Sequence, residues 1–293
     1  MTAVHIEGMG WLGAVTALSL ERQGIEFTWH DTDAPHVAWK ASTGLVYPAG
    51  DDRSVRDMAH WERWHAAGVF PTGTVESVLY TYGHKAPPHE GRYDTRRLTD
   101  STTLALAPCL AVNAPEIVGH ARRRFASARS EDPGEGVLIR AHAGRRLAAQ
   151  MWGWNVPVRL TLPGPLADLG RRPAVYGRRV RRIAYAYPIP GTDRWWGGST
   201  LIRQTQPREL DVMKHVSRWL TDFTALFPDI GVEIAAEPMQ GWRPRPADTD
   251  TSNLPRWNRT ADRPTIEYPP LWHSGIRWSP TVLQWTLHQL RKV

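Results

Sequence analysis

Residues 3–33, AVHIEGMGWLGAVTALSLERQGIEFTWHDTD, decide the fold. AVHIE at 3–7 reads as a short strand, and GMGWLG at 8–13 turns the chain. The following AVTALSLERQG places Val15, Leu18 and Leu20 on or near one face of a helix. Gly24 is the usual residue with which such a helix stops. IEFTWHD then reads as a second strand that closes on Asp31, completing a βαβ unit.

The glycine spacing has a physical meaning. Gly8 permits a tight bend, Gly10 lets backbone approach a pyrophosphate, and Gly13 lets the helix pack close to the strand. The helix start then presents unpaired N–H groups to the phosphates. Asp31 stands where an acid accepts hydrogen bonds from ribose hydroxyls. Gly8, Gly10, Trp11, Leu12, Gly13, Asp31 and Thr32 are therefore the candidate dinucleotide-binding positions. Glu7 is out of pattern, because a carboxylate at the mouth of the turn would repel a pyrophosphate if it pointed inward. It either points away or meets an arginine.

Composition narrows the rest. At 293 residues, with 41% hydrophobic and 22% charged residues, the chain can bury a core as one composite domain or two lobes. It has no apolar run long enough to span a bilayer, so no membrane association is expected. The N-terminus enters a strand without a basic leader or a cleavage site, so no secretory signal is expected either. A single cysteine, Cys109, excludes an intramolecular disulfide and a cysteine metal cage, and makes the cytoplasm the expected compartment. The twelve histidines show no HExxH spacing, and no metal is expected.

Net charge is +7, and arginines cluster at Arg122–Arg124 and at Arg171, Arg172, Arg178, Arg179, Arg181 and Arg182. Two readings stay open: a surface that attracts phosphate backbones or anionic substrates, and a solvated arginine-rich face. The fifteen tryptophans belong mostly to core, though aromatics beside arginines also stack on bases.

Further along, residues 55–70 read as a helix with Met58, Trp61 and Trp64 on an apolar stripe that is better read as core than as a site. TVESVLYTYGH alternates like a strand, APEIVGHARRRFASA reads as a helix, and SEDPGEG is barely a turn. VLIRAHAG is a short strand ending in Ala143 and Gly144. VPVRLTL, RRIAYAYPIPG and RWWGGST read as strands of a second sheet. RELDVMKHVSRWLTDFTALFP predicts an amphipathic helix with Leu210, Met213, Val216, Leu220 and Phe223 on its buried side and Pro228 as the stop. GWRPRPADT reads as a proline-broken loop, and the C-terminal WHSGIRWSPTVLQWTLHQL ends as a helix.

The order of these motifs resembles the flavoprotein family of D-amino-acid oxidase, glycine oxidase and sarcosine oxidase. Besides the glycine turn, the resemblance rests on ASTGL at Ala41–Leu45, AYAYPIPGTDRWWGGST at 184–200, GWRP at Gly241–Pro244 and HSGIRWSP at 273–280. It implies an α/β fold: a Rossmann-like FAD-binding lobe interleaved with an α+β, antiparallel-sheet substrate lobe. The FAD lobe would draw on 1–50, 105–152 and 241–293, and the substrate lobe on 51–104 and 153–240.

The same resemblance implies roles. Ala41, Ser42, Thr43, Gly44 and Leu45 would pass beside the flavin ring, where small residues let backbone come close. Ala143, Gly144, Ser274, Gly275 and Ile276 would join them, the last three offering N–H donors to the reduced flavin. Arg243 would grip a substrate carboxylate as a bidentate fork, the alternative being a loop brace paired with Asp248. Tyr185 and Tyr187 lie on the strand that supplies substrate-facing hydroxyls, with the inward-facing one undecided, and Tyr47 and His273 are further candidates. The implied reaction is hydride transfer from the α-carbon of a neutral amine to the flavin.

Relatives usually carry several extra strands where this chain has only Arg129–Val137, so the site for the adenine end of FAD must be trimmed. Enzymes resembling the family also act on glycine-like groups attached to nucleobases, in tRNA maturation and in hypermodification of bacteriophage thymidine. Three functions follow: oxidation of a small free amino acid, a lyase-like reaction on a glycyl adduct carried on DNA or RNA, and non-catalytic nucleic-acid binding on a degenerate flavin fold. The oligomeric state is not legible.

Overall fold

The computed structural model describes residues 3–32, 37–47, 52–70, 73–82, 105–141, 149–179, 182–198, 202–204, 211–245, 255–258, 263–268 and 275–293. The first part of the chain runs β1 (Val4–Glu7), α1 (Trp11–Arg22), β2 (Phe27–His30), a 3-10 turn (Ala38–Ala41), β3 (Thr43–Val46), α2 (Asp52–Ala66) and β4 (Thr74–Tyr82). Next come β5 (Ala105–Asn113), α3 (Ala114–Arg124), a second 3-10 turn (Ala126–Ala128), β6 (Val137–Arg140), β7 (Ala149–Thr161), α4 (Gly164–Ala167) and β8 (Pro173–Arg179). The remainder is β9 (Arg182–Pro188), β10 (Trp195–Gly198), β11 (Ile202–Gln204), α5 (Val212–Leu226), β12 (Gly231–Ile234), β13 (Met239–Arg245), β14 (Arg256–Asn258), β15 (Thr265–Glu267) and α6 (Gly275–Leu290).

Two sheets organise these elements. The first has the order β14-β15-β6-β1-β2, parallel except for the antiparallel edge strand β14. α1 packs against α3 and α6, and together they cover one of its faces. Nearly every side chain from Leu12 to Leu18 is buried. A helix that is apolar all round belongs inside a core, which is why α1 shows so little of a one-sided stripe. Gly24 closes it at φ +66°, a conformation that suits glycine.

The second sheet runs β11-β7-β10-β9-β8-β4-β5-β3, and β12 and β13 also pair with β7. β7 is thirteen residues long and acts as the spine to which four other strands are bonded. Segments 1–50 and 105–152 each contribute strands to both sheets. The chain therefore weaves between the sheets rather than completing one before the other.

Two expectations need correction. GWRPRPADT was expected to be a loop, but Gly241–Arg245 is part of β13, antiparallel to β7 with Gly241 opposite Gly153 and Pro244 opposite Gln150. Among the described residues β13 pairs with β7 alone, and an edge strand can carry a proline whose missing N–H faces away from its neighbour. In α5 the buried face is Val212, Val216, Trp219, Phe223 and Leu226, while Met213 is 52% exposed. The face is rotated because Trp219 fills the space over β10: a Cβ on Gly197 would lie 2.5 Å from its ring. Val216 and Phe223 keep their expected burial.

Trp219 thus ties α5 to the spine of the second sheet, packed with Val156, Val158, Ala184 and Ala186. Trp219→Ala is expected to lower unfolding stability by about 3–5 kcal/mol, read from the urea midpoint at constant slope.

Candidate active site

The glycine turn has the geometry its spacing predicts. Gly8 sits at φ +95° and its N–H donates to the His30 carbonyl at 2.8 Å. A Cβ on Gly13 would run into the Gly8 carbonyl, so only glycine lets α1 start this close to β1. Gly10 caps α1 with no side-chain hydrogen bond, leaving the N–H groups of the first turn to an external acceptor. The Met9 N–H donates to Asp31 Oδ2 at 2.9 Å, which fixes the acid beside the turn. These features fit a dinucleotide diphosphate.

Glu7 meets an arginine. Arg140 Nε reaches Glu7 Oε2 at 3.1 Å, and Nη1 reaches Glu267 at 3.3 Å. Parallel register places Arg140 of β6 between Glu7 of β1 and Glu267 of β15, so the three charges lie in one row. The carboxylate is thereby drawn sideways along the sheet and held by a positive partner.

Behind the turn, His5 is buried, with Nδ1 2.7 Å from Thr28 Oγ1 and Nε2 2.8 Å from His30 Nδ1. Burial, reinforced by the neighbouring His30 and Arg263 against a weaker opposing pull from Glu7 and Asp132, lowers its pKa to about 4.

The small-residue loop at 41–45 forms the junction between the two sheets. Ala41 is buried, and its carbonyl accepts a hydrogen bond from Asn155 Nδ2. The Ser42 N–H returns to the Trp39 carbonyl at 3.2 Å, and β3 begins at Thr43. A Cβ on Gly44 would lie 2.7 Å from Ile276 Cδ1. The loop and the start of α6, 232 residues apart in the chain, thus pack directly against each other. Leu45 is packed with Tyr47 around Leu79 and Cys109.

Tyr185 and Tyr187 face the same side of β9, stacked with ring centres 4.6 Å apart, because residues two apart share a face. Ala184 and Ala186 turn the other way, toward α5. The Tyr185 hydroxyl donates to Asn155 Oδ1 at 3.1 Å. Tyr187 joins Tyr47 and Tyr176 around Cys109, and burial among these rings raises its pKa well above the usual tyrosine value. Arg277, in the first turn of α6, lies over the Tyr47 ring at 6.0 Å.

Arg243 stands on β13 opposite Met151, and its side chain is not among the described ones. Ala143, Gly144, His273 and Ser274 lie outside the described residues, whereas Gly275 opens α6. Sequence reasoning missed Asn155, Tyr176 and Trp39. Asn155 lies in the run 153–158 that is buried on both faces, and strand alternation, which assigns a polar residue to the wet face, carries no signal for it.

The arginine runs are largely paired within the chain. Arg122 binds Asp31, Arg123 reaches Glu116 at 3.5 Å, Arg124 reaches Glu21 at 2.9 Å and Arg171 reaches Glu76 at 2.8 Å. Arg172 donates to the carbonyls of Ile189 and Arg194. Among the described residues no helix is long and apolar enough to cross a membrane.

No family model matches the chain, and no curated protein matches it either. Solved structures do. Glycine oxidase from Bacillus cereus superposes with a TM-score of 0.70 at 15% identity, covering 100% of this chain and 95% of that one. Iminodiacetate oxidase from a Chelativorans species gives 0.65 at 16% identity, covering 96% and 93%. The L-α-glycerophosphate oxidase of Mycoplasma pneumoniae, solved with FAD bound, gives 0.65 at 11% identity, covering 99% and 95%. The fold is therefore the mixed α/β fold of FAD-dependent oxidoreductases of the glycine oxidase type, across nearly the whole chain.

Two measurements check this geometry. Asn155→Leu strands the buried Ala41 carbonyl and removes the Tyr185 bond, and is expected to cost about 1–3 kcal/mol in urea unfolding. For His5, the unfolded side chain takes up its proton near pH 6.5, while the folded one does so at about 4. Its neutral form is favoured by the fold, so the contribution is complete above the unfolded value and lost as pH falls from there to about 4. The stability difference between the protein and His5→Phe is expected to shift by roughly 2–3 kcal/mol over that interval.

Proposed function

We propose that this protein is a FAD-dependent oxidoreductase that oxidises the C–N bond of an amino-acid-like amine. The observation that carries the reading is the junction at Ala41–Gly44, where Gly44 meets Ile276 and Ala41 is bonded through Asn155 to Tyr185. The glycine turn approaches this segment through Trp39, and the tyrosine-bearing face of β9 approaches it through Asn155, which supports the reading. The enzymes named in the matching structures act on glycine, iminodiacetate and glycerophosphate, and two of the three on amines.

Gly8, Gly10, Gly13 and the start of α1 would hold the diphosphate, Asp31 the ribose, and 41–45 with 275–276 the ring. When bound, the flavin supplies the two-electron acceptor for the amine. The chain's own residues do the positioning. Tyr185 commits its proton to Asn155, so its oxygen meets a substrate as an acceptor for an amine N–H. Tyr187 remains neutral at any ordinary pH and gives the amine an uncharged wall. Arg243 would clamp the carboxylate, a task suited to a planar fork of donors. Holding the amine carbon in line matters more here than acid–base catalysis, because a neutral amine releases its α-hydrogen as a hydride while its nitrogen lone pair forms the C=N bond of the iminium, which water then hydrolyses.

The substrate is either a free amino acid or a glycine-like group carried on a nucleobase of DNA or RNA. The net charge of +7 supports the second as well as the first. The test is anaerobic reduction of the FAD-loaded protein by glycine, sarcosine and D-amino acids, set against a glycyl-modified oligonucleotide. Bleaching by a free amine supports an ordinary amine oxidoreductase, and bleaching only by the oligonucleotide supports the nucleobase-carried substrate. A protein that takes up no FAD overturns the enzyme and leaves nucleic-acid binding on this fold. In the loaded protein, Arg243→Ala is expected to slow reduction at least tenfold while the flavin absorbance stays, consistent with loss of a charge-assisted bond of about 1.5–3 kcal/mol.

A further inference from the structure

Arg122 and Trp39 both reach the glycine turn at the start of α1. Arg122 rises from α3, donates Nε–H to the Met9 carbonyl at 3.0 Å and forms an ion pair with Asp31. Its guanidinium lies 5.3 Å above the Trp39 ring. One side chain thus ties together the turn, the acid after β2 and the 3-10 turn at Ala38–Ala41. Trp39 in turn approaches Gly10: a Cβ there would lie 3.4 Å from its Cδ1. Cδ1 is bonded to Nε1, so the pyrrole edge of the indole is the edge that faces the N-cap of α1. The Trp39 Nε1–H is buried and finds no acceptor among the described residues. A buried indole N–H without a partner costs free energy unless something accepts it.

Charge points the same way. Glu7 and Asp31 put two carboxylates within the turn's reach, and a diphosphate would bring further negative charge. Arg140 offsets the first and Arg122 the second.

We propose that Trp39 and Arg122 form the second wall of a diphosphate site, with the indole N–H donating to a phosphate oxygen and the guanidinium supplying the counter-charge. The pair would compensate for the short Arg129–Val137 segment by holding the cofactor at its centre instead of at its adenine. This rests on the FAD reading and adds to it a pair of residues that the glycine fingerprint does not predict.

The test compares affinities of the apoprotein for FAD, for ADP (which carries the diphosphate without the flavin) and for riboflavin (which carries no phosphate). Trp39→Phe keeps the ring under Arg122 and removes only the donor. It is expected to weaken FAD and ADP roughly tenfold or more, the range for a hydrogen bond to a charged group, and to leave riboflavin unchanged. Arg122→Gln is expected to weaken FAD and ADP and to flatten the salt dependence of their binding. If Arg122→Gln fails to fold, Trp39→Phe decides alone. Equal affinity of Trp39→Phe and the unaltered protein for FAD and ADP overturns the proposal, as does an equal loss for riboflavin, which would mean general damage to the site. An unaltered protein that binds none of the three overturns the FAD reading itself.

Discussion

The approach of α1 to β1 at Gly13 and Gly8 is the constraint from which the rest of the structure follows. No side chain separates the helix start from the strand end, so the helix begins directly over the turn with its first N–H groups uncapped. That closeness lets Met9 reach Asp31 and brings Gly10 under Trp39. It also aligns α1 to pack on α3 and α6, so the same contact positions the core of the parallel half and the mouth of its site. A methyl group at Gly13 would separate all of these at once.

The second sheet, antiparallel except for the parallel pair β4–β8, is tied to the 3-10 turn and to α6, which packs on α1, through a few buried polar and steric contacts near Ala41. Asn155 is the polar one: its amide donates to Ala41 and its carbonyl accepts from Tyr185, using both ends of a side chain that would otherwise be costly to bury. Gly44 against Ile276 is the steric one. Movement of the 41–45 loop would disturb Tyr185 and α6 together, and this ties the tyrosine-bearing face of β9 to the loop.

Several of the described arginines in this protein serve as internal counter-ions. The run Arg122–Arg124 looks like a basic patch in the sequence, yet its three members diverge to Asp31, Glu116 and Glu21 because successive helical positions point about 100° apart. Arg140 does the same service for Glu7 and Glu267 within the sheet. The excess of positive charge is real, and two of its arginines, Arg122 and Arg140, hold the carboxylates of Asp31 and Glu7 beside the dinucleotide turn.

The sequence by itself determined the βαβ unit, its glycine turn and the buried stripe of α2. Each depends on requirements met within a few residues: a missing Cβ, a helical period, a strand that ends in an acid. The tertiary structure alone decided that Gly241–Arg245 is an edge strand, that Trp219 rather than Met213 faces the core, and that Glu7, Asp31 and Tyr185 are held by Arg140, Arg122 and Asn155. Those partners lie 30 to 133 residues away. They meet through strand register and helix packing, which depend on the whole chain, so no local pattern could reveal them.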